Sequence, residues 1–310
     1  MSETYRAVRF HAYGGPEVLQ VEELPLIAPG VGEVLVEVRA AGINPGEIAL
    51  RSGAMKDRSP ATFPSGQGSD LAGVVLAVGP DVVAPQVGDE VLGWSWTRSS
   101  QASHTIVPAG QLIPKPAALS WEQAGSLYVV GATAYAAVRA VKPMAGDTVA
   151  VSAATGGVGT LVVQMLRARG VRVLGIASAA NREWLEQRGA VWVEYGTGLG
   201  ERLRVAAGED GIDAFIDLFG PEYVELAVEL GIPVERIETI ISFEAAARFG
   251  TKAEGSMTAT SPEILAEVAD RVASGDLDLV VAATYPLEKV AEAFEELGRR
   301  HTRGKIVLVP

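Results

Sequence analysis

The segment "TVAVSAATGGVGTLVVQMLRARGVRVLGIAS", residues 148–178, decides how the rest of the chain is read. "TVAVSA" has the β-branched, apolar character of a buried strand, and "TGGVG" is a turn. "GTLVVQMLRARG" has helical periodicity, and "RVLGIA" is a second strand. A strand that feeds a helix through a glycine-rich turn is the context of a dinucleotide-binding loop. Gly156 lets the backbone approach a pyrophosphate, and Gly159 lets the helix pack close to the strand. The free N–H groups and positive dipole end of the helix then face the phosphates. Gly157 and Val158 complete the loop. Against the G-x-G-x-x-G template, Ala154 replaces the first glycine, which requires a turn without strongly positive φ there. A plain strand-to-helix turn has similar glycines. Strand, helix and second strand in register favour the binding reading.

The end of the second strand bears on which dinucleotide. NAD sites usually carry an acidic residue there, bonded to the ribose hydroxyls. This strand ends in Ala177 and Ser178, with no acid before Glu183. Ser178 can donate to a phosphate, and Arg182 can pair with one bidentately. Absence of the acid and presence of the cation favour NADPH, although Arg182 also reads as a solvated residue opening the next helix.

Outward from this segment, "AVWVEY", "DAFIDLFG" and "IETIIS" are further apolar strands separated by helical stretches such as "NREWLEQRG". That alternation predicts an α/β fold, a doubly wound parallel sheet of Rossmann type covered on both faces. The first 110 residues differ. Short β-branched runs ("AVRF", "EVLVEVRAAG", "LAGVVLAVG", "DEVLGWSW") between Gly/Pro turns predict a partly open barrel or a pair of packed sheets. Ser120, three residues before Gln123, opens an Ala-rich helix with a capping box. Ser261 and Pro262 open another. The tail, a strand "LVVAATYPL", a helix "EKVAEAFEELGRR" and a strand "GKIVLVP", follows without a linker and is placed to rejoin the first domain.

Composition narrows the function classes. The 310 residues suffice for one large or two ordinary domains, and 48% hydrophobic with 21% charged residues is a globular profile. No apolar run approaches the roughly 20 residues that span a bilayer, and the N-terminus lacks a signal layout. A cytoplasmic protein acting away from membranes is expected. The formal net charge of −12 argues against nucleic acid as a partner. There is no cysteine, and His11, His104 and His301 are scattered, so no metal site is expected.

Several segments together, "AAGINPGE" (40–47), "GSDLAGVVLAVGPDV" (68–82), "VGDEVLGW" (87–94), "GATAYAAV" (131–138), "SAATGGVG" (152–159) and "RGKIVLVP" (303–310), make the chain resemble the zinc-free, quinone oxidoreductase-like branch of the medium-chain dehydrogenase/reductase superfamily. The resemblance runs nearly end to end. It implies a split, GroES-like catalytic domain of residues 1–120 and 265–310, and an NADPH-binding Rossmann domain of residues 121–264. The cofactor would lie in the cleft between them, in a homodimer. It also implies that Asn44 lies near the nicotinamide ribose, at a position where zinc-dependent relatives keep a metal-binding cysteine. Thr133 would lie beside the nicotinamide, and Gly156, Gly157, Val158 and Gly159 at the pyrophosphate. Ser178, Arg182 and Tyr195 would surround the 2′-phosphate. The segment "TIISF", with Ile241, Ser242 and Phe243, would pass the carboxamide.

Each position has a duller reading. Asn44 precedes Pro45 and suits a turn start, Tyr195 can cap a strand, and Thr133 can bond its own helix backbone. The chain also departs from relatives that carry "DTYIRSG", because "EIALRSG" has Ala49 where they place a tyrosine. "GWSWTRSS" instead supplies Trp94 and Trp96, as walls of an aromatic substrate pocket or as packing. No hydrolase constellation is present. The reaction expected is hydride transfer from NADPH to a small-molecule quinone or α,β-unsaturated carbonyl, with Asn44, Tyr128 and Thr133 as candidate catalytic neighbours. The rivals are a redox-neutral enzyme such as a cyclase, using the Trp-lined cleft and a carboxylate such as Glu47 or Asp70, and a non-catalytic NADPH-binding sensor.

Overall fold

The structure, a computed structural model, describes residues 4–310. Apolar strand–helix alternation yields a compact unit of Val130–Thr260 with Leu277–Leu279. Its core is five parallel strands, Thr148–Val151, Arg172–Ala177, Val191–Glu194, Ala214–Asp217 and Ile237–Thr239. Their spatial order is third, second, first, fourth, fifth. The chain therefore reverses its winding at Thr148–Val151, and such sheets bind ligands beyond the carboxyl ends of their strands at that point. Side chains alternate across the sheet. Leu174, Ile176 and Phe215 pack with helices Leu199–Ala207 and Pro221–Glu229. On the other face, a Cβ at Gly175 would lie 2.8 Å from a Leu185 methyl of helix Arg182–Gln187, so glycine there lets that side chain pack directly on the strand.

The other unit comprises the chain through Val129, Ser261–Asp276 and Val280–Pro310. Its organising element is the long strand Glu33–Gly42. One edge pairs with Asp70–Val78. The other pairs first with His104–Pro108 and then, at Ala41 and Gly42, with the final strand Lys305–Val309. Strands Glu90–Trp94 and Leu112–Pro114 extend one side, and Val281–Pro286 the other. A three-stranded sheet of Gln20–Pro25, Thr4–Phe10 and Ser65–Gly66 stands apart. Among the described residues no ladder closes these sheets into a ring. The fold as a whole is mixed α/β, with a parallel doubly wound sheet in one unit and open, largely antiparallel sheets in the other.

One expected element is interrupted. The helix opened by Ser120 stops at Ala124 and resumes over Leu127–Ala140. The capping box is present, with Gln123 N–H donating to Ser120 Oγ and Ser120 N–H to Gln123 Oε1, both at 3.2 Å. The break follows from close packing. The Gly125 carbonyl accepts from Gly42 N–H at 2.6 Å, and a Cβ on Gly125 would sit 2.4 Å from the Ala40 carbonyl.

Candidate functional site

In the parallel-sheet unit the glycine loop leaves Val151 and enters helix Gly157–Arg167, with Gly156 at the N-cap. A Cβ on Gly159 would lie 2.2 Å from the Ala153 carbonyl, so the helix start can touch the strand end only through glycine. At Gly156 the nearest atom to such a Cβ is that same carbonyl, at 3.4 Å. The backbone there is open to close approach. The missing first glycine is accommodated by a shift in where the turn is strained. The positive φ, 44°, falls on Ala153, while Ala154 is buried and donates its N–H to the Ile176 carbonyl at 3.1 Å. A non-glycine residue in that region costs on the order of 1 kcal/mol.

Just beyond the strand, Ser152 begins a network that the sequence did not disclose. Its hydroxyl donates to Asp217 Oδ1 at 2.9 Å and accepts from Leu218 N–H at 2.7 Å. Asp217 Oδ1 also accepts from the N–H groups of Phe219 (2.9 Å) and Gly220 (3.1 Å). Oδ2 accepts from Thr239 Oγ1 (2.7 Å) and Ser242 Oγ (3.0 Å). Thr239 Oγ1 in turn accepts from Ile241 N–H (3.3 Å) and Ser242 N–H (3.0 Å). Asp217 is fully buried at the carboxyl end of its strand. Of the three expected residues in this segment, Ile241 is exposed, Ser242 is buried in the network, and Phe243 starts helix Phe243–Phe249. The available signal was a lone acid in the apolar run "AFID". One strand over, Glu238 is buried and accepts from Glu254 N–H at 2.6 Å, while its Oε2 has no partner. Burial pushes its carboxyl up to about 8.

Strand register pairs Ala177 with Glu194, so Ser178 and Tyr195 leave the sheet side by side at its carboxyl edge. Tyr195 is 48% exposed. Ser178 Oγ accepts from Asn181 Nδ2 at 3.2 Å. The Arg182 guanidinium lies 5.2 Å over the Trp192 ring and pairs with Glu186 one turn on, at 2.7 Å. An exposed pair of this kind holds by only about 0.3–0.5 kcal/mol, so Arg182 can turn to an anion. Arg202, which the sequence did not single out, fixes this edge by donating to the carbonyls of Glu194, Gly196 and Thr197. Thr133 is buried within its helix.

In the β-rich unit the predicted residues gather around Asp70. Asn44 stands at the N-cap of helix Pro45–Arg51, and Glu47 reaches back to its N–H at 3.0 Å. The Asn44 side chain spends both ends internally: Nδ2 donates to Asp70 Oδ2 at 3.0 Å, and Oδ1 accepts from Lys305 Nζ at 2.6 Å. Lys305 also donates to the Ile43 carbonyl at 3.0 Å and lies 3.2 Å from Asp70 Oδ2. Asp70 Oδ1 takes the Val129 N–H at 2.7 Å. Glu47 accepts from Ser69 N–H and Gln101 Nε2, each at 3.0 Å. Burial and then the nearby Asp70 charge push the Glu47 carboxyl up to about 7, against the pull of Asn44 N–H, Lys305 and Ser69 N–H. Across the strand pair, Asp70 faces Trp94. Trp94 is buried and stacks on Tyr128 (centroids 5.0 Å, 18° between planes), and Trp96 meets the same ring edge-on at 6.4 Å. Tyr128 is buried, whereas Trp96 is 48% exposed. Trp94, Trp96 and Tyr128 thus form one aromatic group next to the Asn44 network.

Comparison with known proteins gives the lineage. Residues 30–117 match the alcohol dehydrogenase GroES-like domain and residues 193–308 the zinc-binding dehydrogenase family. The quinone oxidoreductase of Rattus norvegicus is 30% identical over 97% of this chain and 95% of its own length. Among solved structures, the quinone oxidoreductase from Coxiella burnetii superposes with a TM-score of 0.87 at 27% identity, covering 99% of each chain. That of Escherichia coli, solved in complex with NADPH, gives 0.86 at 26% identity, covering 98% of this chain and all of its own. The chain belongs to the zinc-free, quinone oxidoreductase-like branch of the medium-chain dehydrogenase/reductase superfamily, with a GroES-like N-terminal domain.

The description "zinc-binding" raises a metal that these residues do not fit. The chain has no cysteine, and among the described residues no group of three His, Cys, Asp or Glu is arranged to hold an ion. At Asn44 the buried Lys305 ammonium already neutralises Asp70, and a dication beside it would be repelled.

Proposed function

We propose that this protein is an NADPH-dependent oxidoreductase that transfers hydride to a quinone or an α,β-unsaturated carbonyl without a metal. The observation that carries the reading is the strand–glycine turn–helix at the winding reversal, joined to a second strand whose end offers Ser178, Arg182 and Tyr195 and no acid. The open backbone at Gly156 fits a pyrophosphate lying against the helix N-terminus. NADPH, when bound, supplies the hydride. The loop Gly156–Gly159 holds the pyrophosphate through N–H groups that the helix leaves free. Arg182, Ser178 and Tyr195 surround the 2′-phosphate, and Thr133 and the segment 239–243 orient the nicotinamide end. Trp96 offers aromatic surface to a flat acceptor, and the buried Tyr128 ring backs it. Asn44 keeps its neighbourhood rigid through its bonds to Asp70 and Lys305. Conjugation makes the acceptor carbon electrophilic without a Lewis acid, and solvent supplies the proton. Residues 1–120 with 265–310 serve as the substrate domain and 121–264 as the cofactor domain of a cytoplasmic homodimer. Among the described residues no helix is long and apolar enough to cross a membrane.

The test is oxidation of NADPH, with NADH in parallel, against a panel of quinones and enones. Turnover is expected with NADPH and weak turnover with NADH. No consumption of either coenzyme while product forms would replace this reading with a redox-neutral reaction. NADPH binding without product would leave a sensor.

A further inference from the structure

We infer that Asp217 is a positioning residue: one buried carboxylate that sets the segment Thr239–Ser242 against the start of the glycine loop, and so fixes how the nicotinamide end of the cofactor is held. The inference rests on the nucleotide-binding reading above and deepens it.

Hydrogen-bond valence decides the point. Asp217 is fully buried, and its two oxygens take five donors from three places in the chain: Ser152, the turn Phe219–Gly220, and the pair Thr239 and Ser242. These places are the carboxyl ends of three neighbouring parallel strands, the edge where doubly wound sheets bind ligands. Ser152 immediately precedes the glycine loop.

The distal half of the network has no slack. A threonine hydroxyl has one proton and two lone pairs. Thr239 gives its proton to Asp217 Oδ2 and accepts from Ile241 N–H and Ser242 N–H, so all three are committed. Its two acceptor sites face the backbone only while its proton has a strong acceptor behind it. An ionised carboxylate accepts and never donates, so it imposes that direction. An amide of the same shape would not. With its oxygen kept on the Phe219 and Gly220 N–H groups, the side chain introduced by Asp217→Asn would turn an NH₂ toward Thr239, which would then have to release one backbone N–H to accept it. Asp217→Asn therefore loosens 241–242 selectively, without removing the Ser152 and turn bonds.

The experiment compares wild type with Asp217→Asn, Thr239→Val and Thr239→Ser. Hydrogen exchange of the Ile241, Ser242, Phe219 and Gly220 amides is read in the free protein. Binding of NADPH and of 2′,5′-ADP, which lacks the nicotinamide, is read separately. Asp217→Asn and Thr239→Val are expected to speed exchange at 241 and 242 about tenfold or more, with 219 and 220 protected. NADPH should bind about tenfold more weakly while 2′,5′-ADP binds as before, and Thr239→Ser should behave as wild type. Unchanged exchange at 241–242 would overturn the inference. So would NADPH and 2′,5′-ADP affinities that fall together or both hold, since general damage moves both and a passive network moves neither. A wild-type protein that binds neither probe refutes the nucleotide reading instead, and shows this before any variant is compared. In that case the exchange pattern alone would still confirm or refute the hold of Asp217 on 241–242.

Discussion

Asp70 in the β-rich unit and Asp217 in the parallel-sheet unit are both fully buried, yet the protein compensates their charges differently. Asp70 lies 3.2 Å from the Lys305 ammonium. Asp217 is held by five neutral donors. Glu238 is a third case, with one backbone donor and one oxygen without a partner. An ion pair cancels charge with little demand on direction. Neutral donors must each be aimed, and so they fix the loops that carry them. The first arrangement suits a packed interior, and the second suits the edge of a sheet where loops have to be held in shape. The Glu238 carboxyl, with a single backbone donor and one oxygen left over, answers by keeping its proton to about pH 8.

Substitutions can test this contrast. Lys305→Met should cost the most, about 3–5 kcal/mol, because it leaves Asp70 buried without its cation. The double change with Asp70→Asn should recover much of that loss in urea denaturation, whereas equal losses in single and double variants would remove the ion pair from the explanation.

Glu238→Gln reports on the uncompensated case, and its sign follows from linkage. A carboxylate with a raised folded pKa binds its proton more tightly folded than unfolded. Stability from this group therefore falls as pH rises from about 4.5 to about 8, and the full penalty stands above that. The variant should match wild type near pH 4.5 and be more stable by up to about 4–5 kcal/mol near pH 9 in thermal melts. A difference independent of pH would mean that Glu238 does not titrate in this range.

Ser152→Ala removes one of the five donors to Asp217 and the acceptor of Leu218 N–H. About 1–2 kcal/mol is expected, clearly less than at Lys305, because four donors remain. A loss as large as that of Lys305→Met would show that the neutral network is as brittle as the ion pair. The smallest stability effect belongs to Arg182→Ala, under about 0.5 kcal/mol, since its pair with Glu186 is exposed. There the readout is affinity: NADPH binding should weaken about tenfold and NADH binding should not change.

Local pattern carried part of this structure. The run 148–178 shows its strand, glycine turn, helix and second strand through periodicity and turn chemistry alone, and Gly159 sits where close packing demands glycine. The helix break at Gly125 was not legible, because its cause is the Ala40 carbonyl on a distant strand. The strain at Ala153 rather than Ala154 is a backbone detail that two adjacent alanines cannot announce. The polar networks were hidden for the same reason as the helix break. Ser152 and Asp217 are 65 residues apart and Asp70 and Lys305 are 235 apart, so "AFID" and "GKIVLVP" each show a misplaced charge without showing its partner. Asn44 stands out in the sequence before Pro45, but nothing near it in the chain shows that its amide is committed to Asp70 and Lys305.

The discontinuity of the β-rich unit has a consequence during synthesis. Its first strands leave the ribosome early, yet strand Lys305–Val309, which pairs with Ala41 and Gly42, is made only after the whole run Val130–Thr260. At roughly 5–20 residues per second, the parallel-sheet unit is complete some seconds before Lys305 exists. During that interval the nascent chain carries Asp70 without its counter-ion and strand Glu33–Gly42 with part of one edge unpaired. The unit begun first is finished last, and for those seconds it holds an open strand edge of the kind that can pair with another chain.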